Sequence, residues 1–340
     1  MRRVYITGAA GFIGFHLARL FLAEGFRVHG HDGMTPYYDP ALKRRRLSVL
    51  AQSEGFSFTE GMLEDQAGLA ADVAAFRPGL LVHLGAQAGV RYSLEAPRSY
   101  LSSNVEGTFN VLEAASTAGV PHLMIASTSS AYGASEGMPW RETDKADFQV
   151  SLYAATKKAA ENLSHAWSHL HGLPVTVFRF FTVYGPWGRP DMAPWKFTRA
   201  ILAGEPIEVY GEGRMFRDFT HAGDLVRAIR LLADVPPRPP AEGGPVAEGD
   251  SLSPVAPWRL VNIGNGEKVS LDDFIAAIEA ACGRRAVRRM MEMQKGDVRA
   301  TWADTTLLRR LTGYAPRTGI REGMAEFVAW FRDYHHPAGT

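Results

Sequence analysis

An alternation along the first 180 residues constrains the fold more than any other feature of this sequence. Short apolar runs at residues 3–7, 26–31, 56–59, 80–84, 122–127 and 175–181 are separated by helix-length amphipathic stretches at 12–24, 66–76, 97–118 and 152–171. The runs at 3–7, 80–84, 122–127 and 175–181 are predominantly apolar rather than alternating, the pattern of strands covered by helices on both faces. Repeated strand–helix units of this kind predict an α/β fold with a doubly wound parallel sheet. The rest of the chain is less regular, with strand-like runs at 207–210 and 260–263 and helical stretches at 223–233, 271–282, 305–311 and 320–334. The expected division is a first domain over 1–182, joined by some later elements, and a smaller α/β substrate-binding domain over 183–335. Residues 236–257 are proline-rich with few large apolar side chains, and are expected to form a mobile loop.

Lys and Arg number 37 against 36 Asp and Glu, a net charge of +1 that argues against a dedicated nucleic-acid or membrane-surface binder. Arg2 and Arg3 precede an apolar stretch, but Gly8, Gly11, Gly14, His16 and Arg19 interrupt it, so neither a signal peptide nor a membrane anchor is expected. The single cysteine, Cys282, forms no internal disulfide. A cytoplasmic enzyme without a metal site is the expectation.

At the first strand–helix junction stands Thr7-Gly8-Ala9-Ala10-Gly11-Phe12-Ile13-Gly14. Gly8 suits a tight turn, Gly11 lets a pyrophosphate approach the backbone, and Gly14 lets the helix pack on the sheet. The helix N-terminus then offers free N–H groups to phosphates, so the junction predicts a Rossmann-type dinucleotide site. Asp32 ends the second strand, 24 residues after Gly8, where a carboxylate accepts from the adenosine ribose hydroxyls and repels a 2′-phosphate. NAD is therefore expected over NADP. The following run, Lys43-Arg44-Arg45-Arg46, complicates that choice: it is read as a solvated helix face, with reach to a phosphate as the alternative.

Tyr153 and Lys157 lie four apart on a predicted helix and share one face. A free tyrosine, with pKa ~10, is a poor base at neutral pH, but a neighbouring ammonium and a nicotinamide cation favour its phenolate. Ser127-Thr128-Ser129-Ser130 ends the fifth strand, at the carboxyl edge where such sheets bind ligands. These hydroxyls are placed to pass a proton to Tyr153 or to orient a substrate.

The three glycines, the hydroxyl cluster before Tyr132-Gly133, and Tyr153-x-x-x-Lys157 resemble the extended short-chain dehydrogenase/reductase family over nearly the whole chain. Three further stretches resemble its UDP-glucuronate 4-epimerase branch. They are residues 83–93, residues 179–193 with Tyr184-Gly185-Pro186-Trp187-Gly188-Arg189-Pro190-Asp191 at their centre, and Arg217-Asp218-Phe219-Thr220. The resemblance implies Tyr153, Lys157 and Thr128 as catalytic residues. It implies NAD contacts at Gly8, Gly11, Phe12, Ile13, Gly14, Asp32, Leu63, Leu84, Ala86, Asn104, Tyr153 and Lys157. Related dehydratases carry Asp-Glu where this chain has Thr128-Ser129, which removes the acid and base that expel water. An aspartate often precedes the apolar adenine contact, and here Met62 stands in that place.

The same resemblance implies a UDP-hexuronate bound by Arg91, Ser93, Thr128, Ser129, Ser130, Tyr153, Thr182, Arg189, Val209, Arg214, Arg217 and Asp297. Arg217 is expected on phosphate oxygens and Asp297 on the uridine ribose. Gln294 stands where related enzymes have a second phosphate arginine, a charge that Arg214 or Arg299 would supply. Oxidation at C4 puts a ketone β to the C5 carboxylate, and such an acid loses CO2 unless the carboxylate is held. Thr182, Ser129 and Ser130 are candidate holders, with Arg189 or Arg91 as cationic partner, whereas Trp187, Met192 and Trp195 are read as loop packing. The alternatives on this scaffold are a UDP-glucuronate decarboxylase, a neutral UDP-hexose 4-epimerase and a non-catalytic dinucleotide sensor. A homodimer is implied, paired through the helices near 100–118 and 154–169.

Overall fold

A computed structural model describes residues 2–240, 244–293 and 298–335. Six strands follow the expected runs: β1 (Arg3–Thr7), β2 (Arg27–Asp32), β3 (Phe56–Glu60), β4 (Leu80–His83), β5 (Leu123–Thr128) and β6 (Val175–Phe180). A seventh, Trp258–Ile263, comes from late in the chain and pairs with β6. All seven are parallel, in the order Trp258–Ile263, β6, β5, β4, β1, β2, β3. The order reverses between β1 and β4, and the carboxyl ends of the strands there open onto the site.

Helix α1 (Phe12–Ala23) follows β1 and buries Phe12, Phe15, Leu17, Ala18 and Phe21. These side chains join Val4, Ile6, Val28, Val82 and Met124 of the sheet in one core. Helix Ala222–Leu232 packs into the same core with Leu225, Val226 and Ile229. A second core gathers Trp195, Ile201, Ile207, Val209, Phe219, Phe274, Ile278, Phe327 and Phe331 beside the sheet. Short strand pairs, such as Pro206–Tyr210 with Val287–Met291, frame this smaller layer.

One expectation needs correction. Helix α2 (Pro40–Leu50) does not present its basic run to solvent: Arg44 and Arg45 are exposed, but Lys43 and Arg46 are buried. The Arg46 guanidinium donates to Ala10 O at 2.9 Å, Tyr38 Oη at 2.7 Å and Trp187 O at 2.6 Å. Three acceptors compensate its desolvation, so it staples the glycine turn to the segment after residue 184. Within the proline-rich stretch residues 241–243 lie outside the described residues, and residues 244–257 make side-chain contacts with the rest of the chain. Asp250 accepts from Arg259 at 3.0 Å, Ser253 Oγ meets His165 Nε2 at 2.9 Å, and Val255 O bonds His169 Nδ1 at 2.7 Å.

Candidate active site

A cavity of about 1010 Å³ runs from the glycine turn, across the carboxyl ends of the strands, to the smaller layer. Gly8, Gly11, Phe12, Ile13, Gly14, Asp32, Leu63, Leu84 and Ala86 line its first end. Thr128, Ser129, Ser130, Tyr153, Lys157, Thr182 and Arg189 line its middle, and Arg91 lies towards the far end with Tyr210.

The glycine turn is built for backbone contact. Gly8 takes φ +70, and a Cβ there would stand 2.7 Å from Gly85 N. At Gly14 a Cβ would stand 2.1 Å from Gly8 O, so only glycine lets α1 start this close to β1. Asp32 is held ready at the end of β2. Its Oδ2 accepts from Ala10 N at 3.1 Å, and its Oδ1 from Met34 N at 2.8 Å and from Lys43 Nζ at 3.4 Å.

Tyr153 and Lys157 occupy the first turns of helix Leu152–His171, whose N-cap Ser151 accepts from Ala154 N at 3.1 Å. One turn further on, Glu161 fixes that helix to the sheet. It takes both Nε and Nη2 of Arg179 on β6, at 2.8 and 2.7 Å, and the Ser127 hydroxyl of β5 at 2.5 Å. Burial pushes the Tyr153 phenol up, while a hydrogen bond with Thr128 and the positive charge of Arg189 pull it down. The downward pull on Tyr153 comes from Thr128 and Arg189 rather than from the Lys157 ammonium expected in that role. Burial brings Lys157 itself down to about 8, against the opposing charge of Glu161.

The second half of the site is shaped by the segments around 88–92 and 185–192. Tyr100 Oη donates to Gly89 O at 2.6 Å and sets the first of them. Arg189 forms a two-pronged ion pair with Asp191, at 3.0 and 2.5 Å, and Tyr37 donates to the same carboxylate at 3.0 Å. The Arg91 guanidinium lies 4.8 Å from the centre of the Tyr210 ring, and both line the cavity.

Several expected site residues do not line this cavity among the described residues. Asn104 sits in a π-helical turn, Ser102–Glu106, outside the cavity wall. It accepts from Gln87 N at 2.8 Å and donates to Gln87 O at 3.0 Å and Thr156 Oγ1 at 3.1 Å, so it positions the loop after β4. Ser93 is buried, its hydroxyl donating to Val90 O at 2.6 Å. Val209 is buried in the second core. Arg214 and Arg217 are outside the cavity wall, and Arg217 Nη1 donates to Phe216 O at 2.8 Å. The neighbouring Asp218 is a clamp, accepting from the backbone N–H groups of Asn265, Gly266 and Ala303, with burial pushing its carboxyl up to about 6. Asp297 and Gln294 lie outside the described residues. Among the described residues no cluster of potential ligands for a metal ion is present, and no helix is long and apolar enough to cross a membrane.

Residues 4–242 match the NAD dependent epimerase/dehydratase family. The chain belongs to that family. Over 99% of both chains it is 51% identical to a probable UDP-glucuronate 4-epimerase of Rhizobium meliloti strain 1021. It is 42% identical to UDP-glucuronate 4-epimerase 1 of Arabidopsis thaliana, covering 98% of this chain and 77% of that one. Its backbone is similar, at a TM-score of 0.86 and 27% identity over 98% of this chain and 99% of the other, to the Bacillus cereus UDP-glucuronic acid 4-epimerase crystallised with UDP-glucuronic acid and NAD.

A member of the NAD dependent epimerase/dehydratase family needs a dinucleotide cradle, and the residues here fit one. The glycine turn leaves no room for Cβ atoms at Gly8 and Gly14, and Asp32 is aimed by two backbone donors. The wall also holds Lys43 and Glu64, which the sequence did not single out as site residues. Glu64 Oε1 accepts from Ser103 at 3.0 Å, while its buried Oε2 has no partner.

Proposed function

We propose that this chain interconverts UDP-glucuronate and UDP-galacturonate by inverting C4 of the sugar, with NAD held in the glycine-turn cradle. The observation that carries the reading is the convergence of Tyr153, Thr128, Lys157 and Arg189 on one cavity with that cradle. The kinship with UDP-glucuronate 4-epimerases supports the same substrate.

The residues divide the work by position. Tyr153 accepts the proton of the sugar O4 hydroxyl and later returns it, and Thr128, its hydrogen-bond neighbour, relays that proton. NAD in the glycine-turn cradle would supply the hydride chemistry at C4. Lys157, one turn along the same helix and kept protonated below about pH 8, keeps a positive charge on the same cavity wall. The intermediate 4-ketone is β to the carboxylate. Ser129, Ser130 and Thr182 offer hydroxyl donors along the cavity wall, and Arg189 offers a cation, so the carboxylate is held without locking the ring. Hydroxyls at 128 and 129 leave no carboxylic acid there for water elimination.

Two copies pair, in this reading, through the faces of Pro97–Leu101, Gly107–Thr117 and Leu152–His171. Leu101 and Phe109 are 50% and 38% exposed there and flank a groove lined by Val105 and Leu163. Light scattering of the purified protein checks this, with a mass of about 75 kDa expected from a 37.3 kDa chain. A cytoplasmic location goes with a nucleotide-sugar substrate. The activity itself is tested by NMR of the protein incubated with UDP-glucuronate and no added NAD. UDP-galacturonate is the expected product. A UDP-pentose and released CO2 would replace the reading with decarboxylation.

A further inference from the structure

Arg189 does not reach the cavity as a bare cation. Its Nε and Nη2 are taken by the two oxygens of Asp191, at 3.0 and 2.5 Å. Tyr37 donates to Asp191 Oδ2 at 3.0 Å, and its ring lies 5.6 Å from the Arg189 guanidinium. Tyr37 is fixed in turn: its ring meets that of Tyr92 at 4.7 Å, and a Cβ on Gly89 would stand 2.9 Å from its hydroxyl. The cluster joins the segment after β2 to the segment before helix Ala193–Ala203. All three side chains line the cavity that Tyr153 lines, and the Arg189 charge acts on Tyr153.

This arrangement has two physical consequences. A guanidinium held along its Nε/Nη2 edge presents only its remaining N–H groups, in one orientation. A carboxylate already paired with it also cancels much of its charge, so a second carboxylate binds less tightly and meets the like charge of the first.

We infer that Asp191, oriented by Tyr37, is the positioning and specificity-setting residue of the site: it aims Arg189 at the hexuronate carboxylate and weakens that hold enough for the keto sugar to turn over. The inference rests on the proposed hexuronate chemistry. A bare arginine would select the hexuronate more strongly over the neutral hexose, but would keep the carboxylate pinned on the face from which the hydride left.

The test compares Asp191→Asn, Tyr37→Phe and the unaltered holoenzyme. Calorimetry gives Kd for UDP-glucuronate and UDP-glucose, and steady-state kinetics gives kcat and KM for UDP-glucuronate. Asp191→Asn is expected to bind UDP-glucuronate about fivefold more tightly, with UDP-glucose within about twofold, and to lose about fivefold in kcat while KM falls. Tyr37→Phe is expected to shift both in the same direction by less. Equal weakening of both nucleotides in Asp191→Asn, or unchanged hexuronate affinity and kcat, would overturn the inference and make the cluster a structural brace. Failure of the unaltered enzyme to epimerise UDP-glucuronate would instead overturn the functional proposal beneath it.

Discussion

Gly14→Ala adds one methyl group at the point where the cradle is tightest. The new Cβ would lie 2.1 Å from Gly8 O and 2.8 Å from both Ala9 Cα and Gly8 C, where real Cβ contacts essentially never fall below 3.0 Å. All three neighbours are backbone, so no side chain can swing aside. The shortfall of about 0.9 Å at the oxygen has to come from lifting the start of α1 off β1 or from deforming the Gly8 turn. Lifting α1 loosens Phe12, Phe15 and Phe21, which are buried in the main core. Overpacking against side chains typically costs ~1–3 kcal/mol, and an immovable backbone oxygen puts this substitution at the upper end, about 3 kcal/mol. Deforming Gly8 also spoils the backbone surface expected to meet the pyrophosphate. Urea unfolding gives the stability, and absorbance after denaturation gives the NAD retained. Gly137→Ala is the control, because nothing lies within 4 Å of its Cβ position and its φ is not positive. The expected result is a loss of about 3 kcal/mol and of bound NAD in Gly14→Ala only. Stability within about 1 kcal/mol of the unaltered chain, with NAD retained, would refute the packing argument.

Activity should fall as pH rises through about 8, because Lys157 loses its proton there; a kcat profile flat to pH 9.5 would contradict its charged role. Burial raises Glu142 to about 7, so the folded chain binds its proton more tightly than the unfolded one and is destabilised as pH rises from ~4.5 to ~7. Glu142→Gln, which keeps an acceptor for Asn262 N, should therefore raise the urea midpoint at pH 8, by at most ~3 kcal/mol in stability, and leave it unchanged at pH 4. Tyr153→Phe should reduce kcat by at least ~100-fold with the fold and bound NAD intact.

The sheet was legible because its inner strands β4, β5 and β6 are buried along their whole length, and largely apolar runs between helical stretches have few other solutions. The cradle was legible because backbone geometry demands glycine at fixed offsets, and Gly8 and Gly14 are where Cβ atoms would collide. What stayed hidden depends on contacts distant in sequence. Lys43 and Arg46 read as a solvated charge run, because their partners Asp32, Ala10 and Trp187 come together only in the fold. The strand Trp258–Ile263 gives no local sign that it completes the first sheet; its neighbour β6 lies some eighty residues earlier. Asn104 reads as a contact residue, yet its amide is satisfied by Gln87 and Thr156. Asp191 carried no signal as a partner for Arg189, since a carboxylate two residues from an arginine is an unremarked loop pair until the backbone turns them together.

In the proposed reaction one hydride leaves C4 and returns to the same carbon while Tyr153 handles the proton. UDP-glucuronate deuterated at C4, incubated with the NAD-loaded enzyme in ordinary water, tests it directly. The expected product is UDP-galacturonate with deuterium retained at C4. Loss of the label to solvent, or its appearance in a UDP-pentose, would contradict it.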